Sequence, residues 1–224
     1  MGASTEVSVQ EGYERWAPSY PDVPGNPLMR AEQELMLQHW PQVAGRRTLD
    51  LACGSGRYSR LLREGGAAAV IALDASPGML RRVAGVGRVC ASLSRLPFAA
   101  GSFDVIVCGL AVGHEPDIGT WMSEIARVLA PRGTFLYSDF HPDAARAGLI
   151  RSFTDGQRRT YTLPHHAHDL GAARAAAGTA GLSITVAQEV RVGIELTEPF
   201  EHSESFYRRW HGLPLVLVVR AEKA

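Results

Sequence analysis

The stretch Thr48-Leu-Asp-Leu-Ala-Cys-Gly-Ser-Gly-Arg57 decides the fold of this chain. Its first half is apolar and predicts a strand, and its second half predicts a glycine turn that leads into a helix. Gly54 and Gly56 let the backbone turn sharply and come close to a ligand, because neither residue carries a Cβ. The free N–H groups at the start of the helix then point toward that ligand. The stretch therefore predicts a ligand site at the carboxyl end of a strand.

A second apolar strand, Val70-Ile-Ala-Leu-Asp74, follows and ends on an acid. Asp74 lies 20 residues after Gly54. At this spacing the acid of a mononucleotide-binding βαβ unit accepts hydrogen bonds from ribose hydroxyls. The two strands together predict a nucleoside-binding unit rather than an ordinary strand–helix turn.

Two classes of cofactor would suit this unit. A dinucleotide enzyme has a third glycine three positions after Gly56, where this chain has Ser59. A class I S-adenosylmethionine (SAM) methyltransferase has instead an acid followed by small residues at alternating positions. Asp50, Ala52, Gly54 and Gly56 resemble that second pattern, with alanine in place of the usual first glycine. The stretch therefore resembles the class I SAM methyltransferases.

The composition predicts one domain with room for a small lid, because 224 residues with 46% hydrophobic side chains can build a proper core. Lys+Arg and Asp+Glu each number 23, so no basic surplus points to a nucleic-acid partner. The longest strongly apolar run, residues 215–219, is far shorter than the roughly 20 residues of a membrane helix. We expect no membrane partner. The three cysteines lie in apolar surroundings, and the N-terminus shows no signal-peptide pattern, so we expect a cytoplasmic protein.

Strands and helices alternate along the chain, which predicts an α/β fold with an open, doubly wound sheet. Ligands of such sheets lie outside the carboxyl ends of the strands. The segment 141–168 fits no regular pattern. The predicted strands are residues 48–52, 69–73, 88–91, 103–108, 134–137, 183–192 and 215–220.

Further stretches resemble the same family. Leu96-Pro97-Phe98 with Ser102-Phe-Asp-Val105 is similar to its entry into strand four, and Val128-Leu-Ala-Pro-Arg-Gly133 is similar to its turn into strand five. Tyr13-Glu-Arg-Trp-Ala17 with Tyr20 resembles the N-terminal lid of the subgroup that contains malonyl-carrier-protein and ubiquinone-pathway methyltransferases. The resemblance implies a Rossmann-like seven-stranded sheet in the order 3-2-1-4-5-7-6, with the last strand antiparallel. It also implies a helical lid over residues 1–40 and a SAM-binding domain over residues 41–224, with an acceptor-loop insertion at about 141–168.

The resemblance assigns roles to residues by position. Asp50 would hold the amino group of SAM, Gly54 and Gly56 would line its methionine end, and Asp74 would bind its ribose. Ala75 and Met79 would flank the adenine. Gly109 and Leu110, after strand four, would pass beneath the sulfonium. The family often has Gly-Asp after strand three, and Ser92 or Leu93 would substitute for it here. The full set of predicted cofactor-binding residues is Tyr13, Tyr20, Arg30, Asp50, Ala52, Cys53, Gly54, Gly56, Asp74, Ala75, Met79, Ser92, Leu93, Gly109 and Leu110.

Several of these residues have a second interpretation. Met79 and Leu110 are equally well explained as core residues. Three aromatic residues of the leader (residues 1–40), namely Tyr13, Trp16 and Tyr20, would stabilise a cation through their ring faces, or would clamp the leader onto the core. Arg30 would pair with an anion or face solvent, and the same holds for the arginines of the irregular segment, which are Arg146, Arg151, Arg158 and Arg159.

Three residues are candidates for proton transfer. An alcohol acceptor needs a base, whereas a carboxylate does not. His114 follows strand four at the mouth of the predicted site, and Asp139 and His141 follow strand five at the same edge of the sheet. Histidine is suited to proton transfer near neutral pH, although a histidine at this place is often only a polar wall.

The histidines at 165, 166 and 168 form a cluster, but they have no nearby cysteine and no i, i+4 spacing. We predict no metal site and expect an acceptor-binding or surface loop there.

Together these resemblances imply SAM-dependent methyl transfer to a small-molecule acceptor, with an oxygen of a carboxylate or hydroxyl as the leading choice. The alternatives are a SAM-binding pericyclase or decarboxylase on the same fold, and a non-catalytic SAM-fold partner. An NAD-linked enzyme is disfavoured by Ser59. The acceptor and the oligomeric state stay open.

Overall fold

The structure, a computed structural model, describes residues 4–193 and 203–224. Its helices are α1 Val9–Trp16, α2 Pro27–Gln38, α3 Arg57–Glu64, α4 Pro77–Arg82, α5 Ile118–Val128, α6 Pro142–Arg146, α7 Leu170–Thr179 and α8 Ser203–Trp210. Its strands are β1 Thr5–Glu6, β2 Arg47–Leu51, β3 Ala69–Asp74, β4 Gly87–Cys90, β5 Phe103–Cys108, β6 Leu129–Phe140, β7 Ser152–Thr154, β8 Thr160–Thr162, β9 Leu182–Arg191 and β10 Pro214–Lys223.

Seven strands form the main sheet in the order β4-β3-β2-β5-β6-β10-β9. The pairs from β4 to β6 are parallel, and β10 is antiparallel to both of its neighbours. The predicted α/β, doubly wound fold is therefore confirmed. The strand order reverses between β2 and β5, and such a reversal opens a crevice at the carboxyl ends of the strands. The site described below lies at this crevice.

Strand β5 shows why the predicted pattern gives a buried sheet. Val105 and Val107 pack into the core on one face, and Ile106 and Cys108 pack into the core on the other. Successive side chains of a strand point to opposite faces, so a continuous apolar run implies cover on both sides. Helices supply that cover, with Trp121 and Ile125 of α5 fully buried on the second face.

The segment 141–168 differs from the expectation of irregular structure. It contains α6 and a short hairpin in which β7 is antiparallel to β8. Strand β1 of the leader pairs in parallel with β8, which gives a second, three-stranded sheet. Strands of two or three residues are too short to show a period-2 pattern, so the sequence did not reveal them.

Aromatic stacking fastens the leader to this small sheet. Trp16 stacks on Phe153 with a centroid distance of 4.8 Å and an interplanar angle of 9°. Phe153 in turn stacks on Tyr161 at 5.3 Å. Trp16 thus packs on the small sheet, which agrees with the clamp interpretation of this residue. Over the residues that the structure describes, no helix is long and apolar enough to cross a membrane.

Candidate active site

A cavity of about 330 Å³ lies at the carboxyl ends of β2, β3 and β5. Ala52, Asp74 and Gly109 line it where these three strands end. Tyr13 of α1 and Pro27 at the start of α2 line its opposite wall. The leader therefore covers part of the crevice of the sheet.

The glycine turn forms the floor of this cavity. Ala52, Gly54 and Gly56 all have positive φ, at 55°, 54° and 88°. Glycine adopts this conformation at little cost, and alanine does so less readily. Tyr20 lies over the turn, because a Cβ added to Gly54 would come within 3.5 Å of its ring. The turn therefore presents bare backbone to the cavity beneath an aromatic cover.

Asp74 borders the cavity and also shapes the turn. Its Oδ2 accepts the Gly54 N–H and its Oδ1 accepts the Ser76 N–H, each at 2.9 Å. Burial raises the pKa of Asp74, and these backbone hydrogen bonds oppose that rise. A carboxylate oxygen has more than one acceptor position, so Asp74 keeps capacity for hydroxyl donors of a ligand.

Asp50 lies beneath the cavity rather than in its lining. It is 1% exposed, and its Oδ2 accepts the Ser59 N–H at 2.7 Å and the Ser59 hydroxyl at 2.6 Å. Its Oδ1 has no hydrogen-bond partner among the described residues. Burial raises the pKa of Asp50 to about 7. Ser59 stands where the dinucleotide pattern has its third glycine. Here it donates both of the hydrogen bonds that hold the Asp50 carboxylate in place.

The loop after β5 is pinned from both sides. Leu110 has a φ of 56°, which is strained for a branched side chain. Its N–H donates to the carbonyl and to the hydroxyl of Ser138, each at 3.0 Å. Its own carbonyl accepts a hydrogen bond from Arg151. The strained wall of the cavity is thus held by fixed partners.

A buried acid that sequence reasoning missed supports the same loop. Glu32 of α2 is fully buried and accepts hydrogen bonds from the hydroxyls of Tyr58 and Ser138, each at 2.6 Å. Arg57 pairs with it at 2.7 Å. Glu32 therefore joins the leader helix to the helix after the glycine turn and to β6. Nothing local in the sequence distinguished it from a solvent-facing acid of α2.

Helix α1 is held onto the rim of the cavity by polar contacts that were also missed. Glu14 accepts from the Ser76 hydroxyl at 2.6 Å and from the Gly78 N–H at 2.7 Å. Gln10 donates to the Ala75 carbonyl at 3.1 Å. The side chains at 10 and 14 are one helical turn apart, so they face the β3–α4 connection together.

His114 lies in the cavity wall and is engaged at both ring nitrogens. Its Nδ1 is 3.2 Å from the Pro164 carbonyl, which can only accept, so Nδ1 carries the proton. Its Nε2 then accepts from the Tyr13 hydroxyl at 3.0 Å. Burial, reinforced by the positive charge of Arg151, lowers the pKa of His114 to about 3. Near pH 7 the imidazole is therefore neutral, and both of its nitrogens are engaged in hydrogen bonds within the protein.

We expect His114 to make the protein sensitive to acid. Its folded pKa lies below the ordinary value of about 6.5, so the neutral ring stabilises the fold above pH 6.5, and this stabilisation is lost as the pH falls toward 3. Urea unfolding at pH 7, 5 and 4 should show a steeper loss in the wild type than in His114→Gln. The difference is at most about 1.4 kcal/mol per pH unit, because one proton is involved.

His166→Gln is the matched control, because His166 is exposed. It should lose stability with pH as the wild type does. Parallel curves for the wild type and His114→Gln would contradict the assignment.

The other two candidates for proton transfer lie outside the cavity lining. Asp139 accepts from the N–H groups of Gly113 and Phe140, from Arg151 at 2.7 Å and from His165 at 3.4 Å. Burial alone would raise the pKa of Asp139, but His165 and Arg151 hold it below its usual value. Hydrogen-bond donors therefore occupy both carboxylate oxygens of Asp139, which holds the surrounding loops together. This geometry does not support a role for Asp139 as a base.

His141 is likewise turned away from the cavity. Its Nδ1 accepts the Asp143 N–H at 3.2 Å at the start of α6, and its Nε2 is 3.2 Å from Glu189. It caps a helix, so its geometry does not support a catalytic role.

Some of the predicted cofactor residues border the cavity and others do not. Those that border it are Tyr13, Tyr20, Ala52, Gly54, Asp74, Ala75, Leu93, Gly109 and Leu110. Arg30 instead pairs with Glu34 along α2 at 2.9 Å. Met79 is fully buried in the core, and the Ser92 hydroxyl turns to Ser94 at 3.0 Å. Cys53 and Gly56 belong to the turn but do not border the cavity. Gly56 is the N-cap of α3, and burial raises the pKa of the Cys53 thiol.

Arg151 is a buried cation in the cavity wall. Its side chain is 7% exposed, and it pairs with Asp139 at 2.7 Å. Its guanidinium carbon lies 4.3 Å from the centroid of the Phe140 ring. Its Nε has no hydrogen-bond partner among the described residues. The sequence placed this arginine only among several charged residues of the 141–168 segment, and the structure alone brings it to the site.

The histidine cluster does not converge on one point. His165 faces Asp139, and His168 lies 2.7 Å from the Glu115 carbonyl. Across residues 4–193 and 203–224, no group of three His, Cys, Asp or Glu side chains is placed to hold a metal ion.

These features fit the predicted cofactor, SAM. A nucleoside needs an acid for its hydroxyls, which Asp74 supplies at the cavity border. The amino-acid end of SAM needs bare backbone, which Gly54 supplies in the cavity lining, whereas Asp50 and its unpartnered Oδ1 lie beneath that lining. The donors and acceptors around the turn are therefore of the kinds that such a molecule requires.

Comparison with known proteins agrees with the geometry. The model of the family described as "Methyltransferase domain" matches residues 49–137. The malonyl-[acyl-carrier protein] O-methyltransferase of Dechloromonas aromatica (strain RCB) is 32% identical over 181 residues, which cover 80% of this chain and 67% of that protein. The protein of the same name from Methylovorus sp. (strain MP688) is 32% identical over 170 residues. The match covers 67% of this chain but only 56% of that relative, so the chain spans little more than half of its length.

A solved structure extends the similarity to the fold as a whole. The S-adenosylmethionine-dependent methyltransferase from Mesorhizobium loti superposes with a TM-score of 0.69 and 25% identity, over 86% of this chain and 98% of its own. Sequence, fold and cavity chemistry therefore agree, and the chain belongs to the class I SAM-dependent methyltransferases.

Proposed function

We propose that this protein transfers the methyl group of SAM to an oxygen of a small-molecule carboxylate. The observation that carries the proposal is the buried guanidinium of Arg151 in the cavity wall, at a place where the candidate bases are already engaged. A cavity wall that offers a cation but no free base suits an acceptor that is already an anion.

The state of His114 separates the two oxygen acceptors. A hydroxyl must lose its proton to a base during transfer, and the ideal base has a pKa near the working pH. The pKa of His114 is lowered to about 3, and its Nε2 already accepts from Tyr13. A carboxylate is ionised near neutral pH and needs no such base. His114 therefore supports a carboxylate better than a hydroxyl.

Arg151 supports the same choice through charge and geometry. Arginine binds carboxylates through several parallel N–H groups. Here Asp139 accepts from one terminal nitrogen, the Leu110 carbonyl and the Tyr13 hydroxyl accept from the other, and Nε has no partner among the described residues. The two similar malonyl-[acyl-carrier protein] enzymes are O-methyltransferases by name, which agrees with oxygen as the receiving atom.

Each part of the site has a separate task in this proposal. When bound, SAM would supply a methyl group that its sulfonium activates for transfer to the acceptor oxygen, with release of S-adenosylhomocysteine. Asp74 binds the nucleoside, and Arg151 holds the acceptor anion near the cofactor turn. Tyr13 and Tyr20, which belong to the proposed lid over residues 1–40, cover the cavity and exclude water.

The test is to incubate the protein with SAM and matched pairs of carboxylic acids and primary alcohols, and to measure S-adenosylhomocysteine and the methylated product. We expect a methyl ester from the acids, because a carboxylate needs no base. Ether formation from the alcohols would contradict the proposal. Conversion of an acceptor without S-adenosylhomocysteine would favour the pericyclase or decarboxylase alternative.

A further inference from the structure

Ile150 is an exposed apolar side chain next to a buried cation. It is 63% exposed and borders the cavity, and its neighbour Arg151 is buried in the same wall. Val23 and Leu37 are the other strongly exposed large hydrophobics among residues 4–193 and 203–224, and neither borders the cavity. A single exposed isoleucine is ordinary, so a role for Ile150 in ligand binding depends on the residues that surround it.

The surroundings of Ile150 form an apolar rim. Leu28 of α2, Leu149 and Phe206 of α8 also border the cavity. All three pack against the same core cluster and remain partly exposed. Three separate segments thus place apolar side chains at one side of the cavity, and Ile150 extends this surface outward. We call Leu28, Leu149, Ile150 and Phe206 the apolar rim.

The cavity therefore combines a buried cation with an apolar rim. Arg151 lies against the Phe140 ring, which keeps the wall beside the cation apolar. A ligand that satisfies both parts has an anionic group at one end and apolar carbon at the other. Burying apolar surface against the rim favours binding in proportion to the area that is removed from water.

The size of the cavity indicates where the apolar part would lie. Its volume of about 330 Å³ is at the lower end of the range for ligand sites. The cofactor-binding turn and Asp74 border this same space. A second molecule larger than a short acid must therefore extend past the rim.

We infer that the acceptor is a carboxylate with a flexible apolar tail of several carbons, and that the tail lies along the apolar rim. This inference rests on the proposed function, because it takes the carboxylate at Arg151 as given. It adds a substrate class: amphiphilic monocarboxylates rather than small, fully polar acids.

The experiment measures binding of butanoate, hexanoate, octanoate and decanoate by calorimetry, with the protein saturated with S-adenosylhomocysteine. We expect the affinity to rise about two- to fourfold per methylene group. Alkylammonium ions of the same lengths should bind at least tenfold more weakly, because Arg151 repels them. An affinity that does not depend on chain length, or no binding at any length, would overturn the inference.

Matched variants locate the tail. Ile150→Ser should flatten the dependence on chain length to less than twofold per methylene group. Leu37→Ser is the control, because Leu37 is 43% exposed and lies away from the cavity, and it should keep the wild-type dependence. An unchanged dependence in Ile150→Ser would overturn the inference.

Turnover separates this inference from the proposed function. Ester formation from acids of every length, with affinities that do not change with length, would retain methyl transfer and reject the apolar tail. Tight, length-dependent binding without ester formation would support the tail and reject methyl transfer to carboxylates.

Discussion

Asp74→Asn is expected to weaken the binding of SAM about 100-fold. Asp74 borders the cavity and has acceptor capacity left for two ribose hydroxyls. A hydrogen bond to a charged acceptor contributes about 1.5–3 kcal/mol, and the amide replaces one acceptor oxygen by a donor. A total loss of about 3 kcal/mol corresponds to roughly 100-fold in the dissociation constant. Calorimetric titration with SAM and with S-adenosylhomocysteine measures it.

The control for this variant must account for the structural bonds of Asp74. Because its oxygens accept the N–H groups of Gly54 and Ser76, the substitution also lowers the stability of the turn. Asp104→Asn is matched, since Asp104 accepts the Arg47 N–H at 2.9 Å and lies outside the cavity. Both variants should unfold at lower temperature, but only Asp74→Asn should lose affinity for SAM. A dissociation constant within threefold of the wild type would reject the assignment of Asp74 to the ribose.

Arg151→Gln is expected to lower kcat/KM for a carboxylate acceptor about 100- to 1000-fold. Removing one partner of a desolvated charge pair costs about 2–5 kcal/mol, and this residue is the buried cation of the acceptor side. Methylation of an uncharged analogue should fall much less. The measurement is steady-state production of S-adenosylhomocysteine at saturating SAM.

Two further variants keep this result interpretable. Arg151→Gln leaves Asp139 without its cation, so the double variant with Asp139→Asn removes both charges together and should restore stability but not turnover. Arg146→Gln is the matched control, because Arg146 pairs with Asp143 on the surface, away from the cavity. If Arg151→Gln folds and methylates carboxylates at the rate of Arg146→Gln, the guanidinium does not bind the acceptor.

The fold could be predicted wherever the pattern was long. Strand β5 was predicted over residues 103–108, and the structure has it at Phe103–Cys108. A strand that is buried on both faces must be apolar throughout, so the sequence shows it directly. The β7–β8 hairpin was missed because its strands have three residues each and are stabilised by pairing and by Trp16, not by a local pattern.

The residues alone were enough to predict the cofactor, because the sequence features that indicate it are local. The turn at Gly54 needs positive φ, and Asp74 ends the next parallel strand, so spacing along the chain brings them together. The acceptor end depends on contacts between distant segments: Tyr13 and His114 are 101 residues apart, and Glu32 and Ser138 are 106 apart. Burial then determined which groups can take up a proton. A histidine in water is a base near neutral pH, whereas His114 in this wall stays neutral and is hydrogen-bonded at both nitrogens. Only the packing of leader, loop and sheet could bring Arg151 into the same cavity wall as His114, where we propose that Arg151 binds the acceptor.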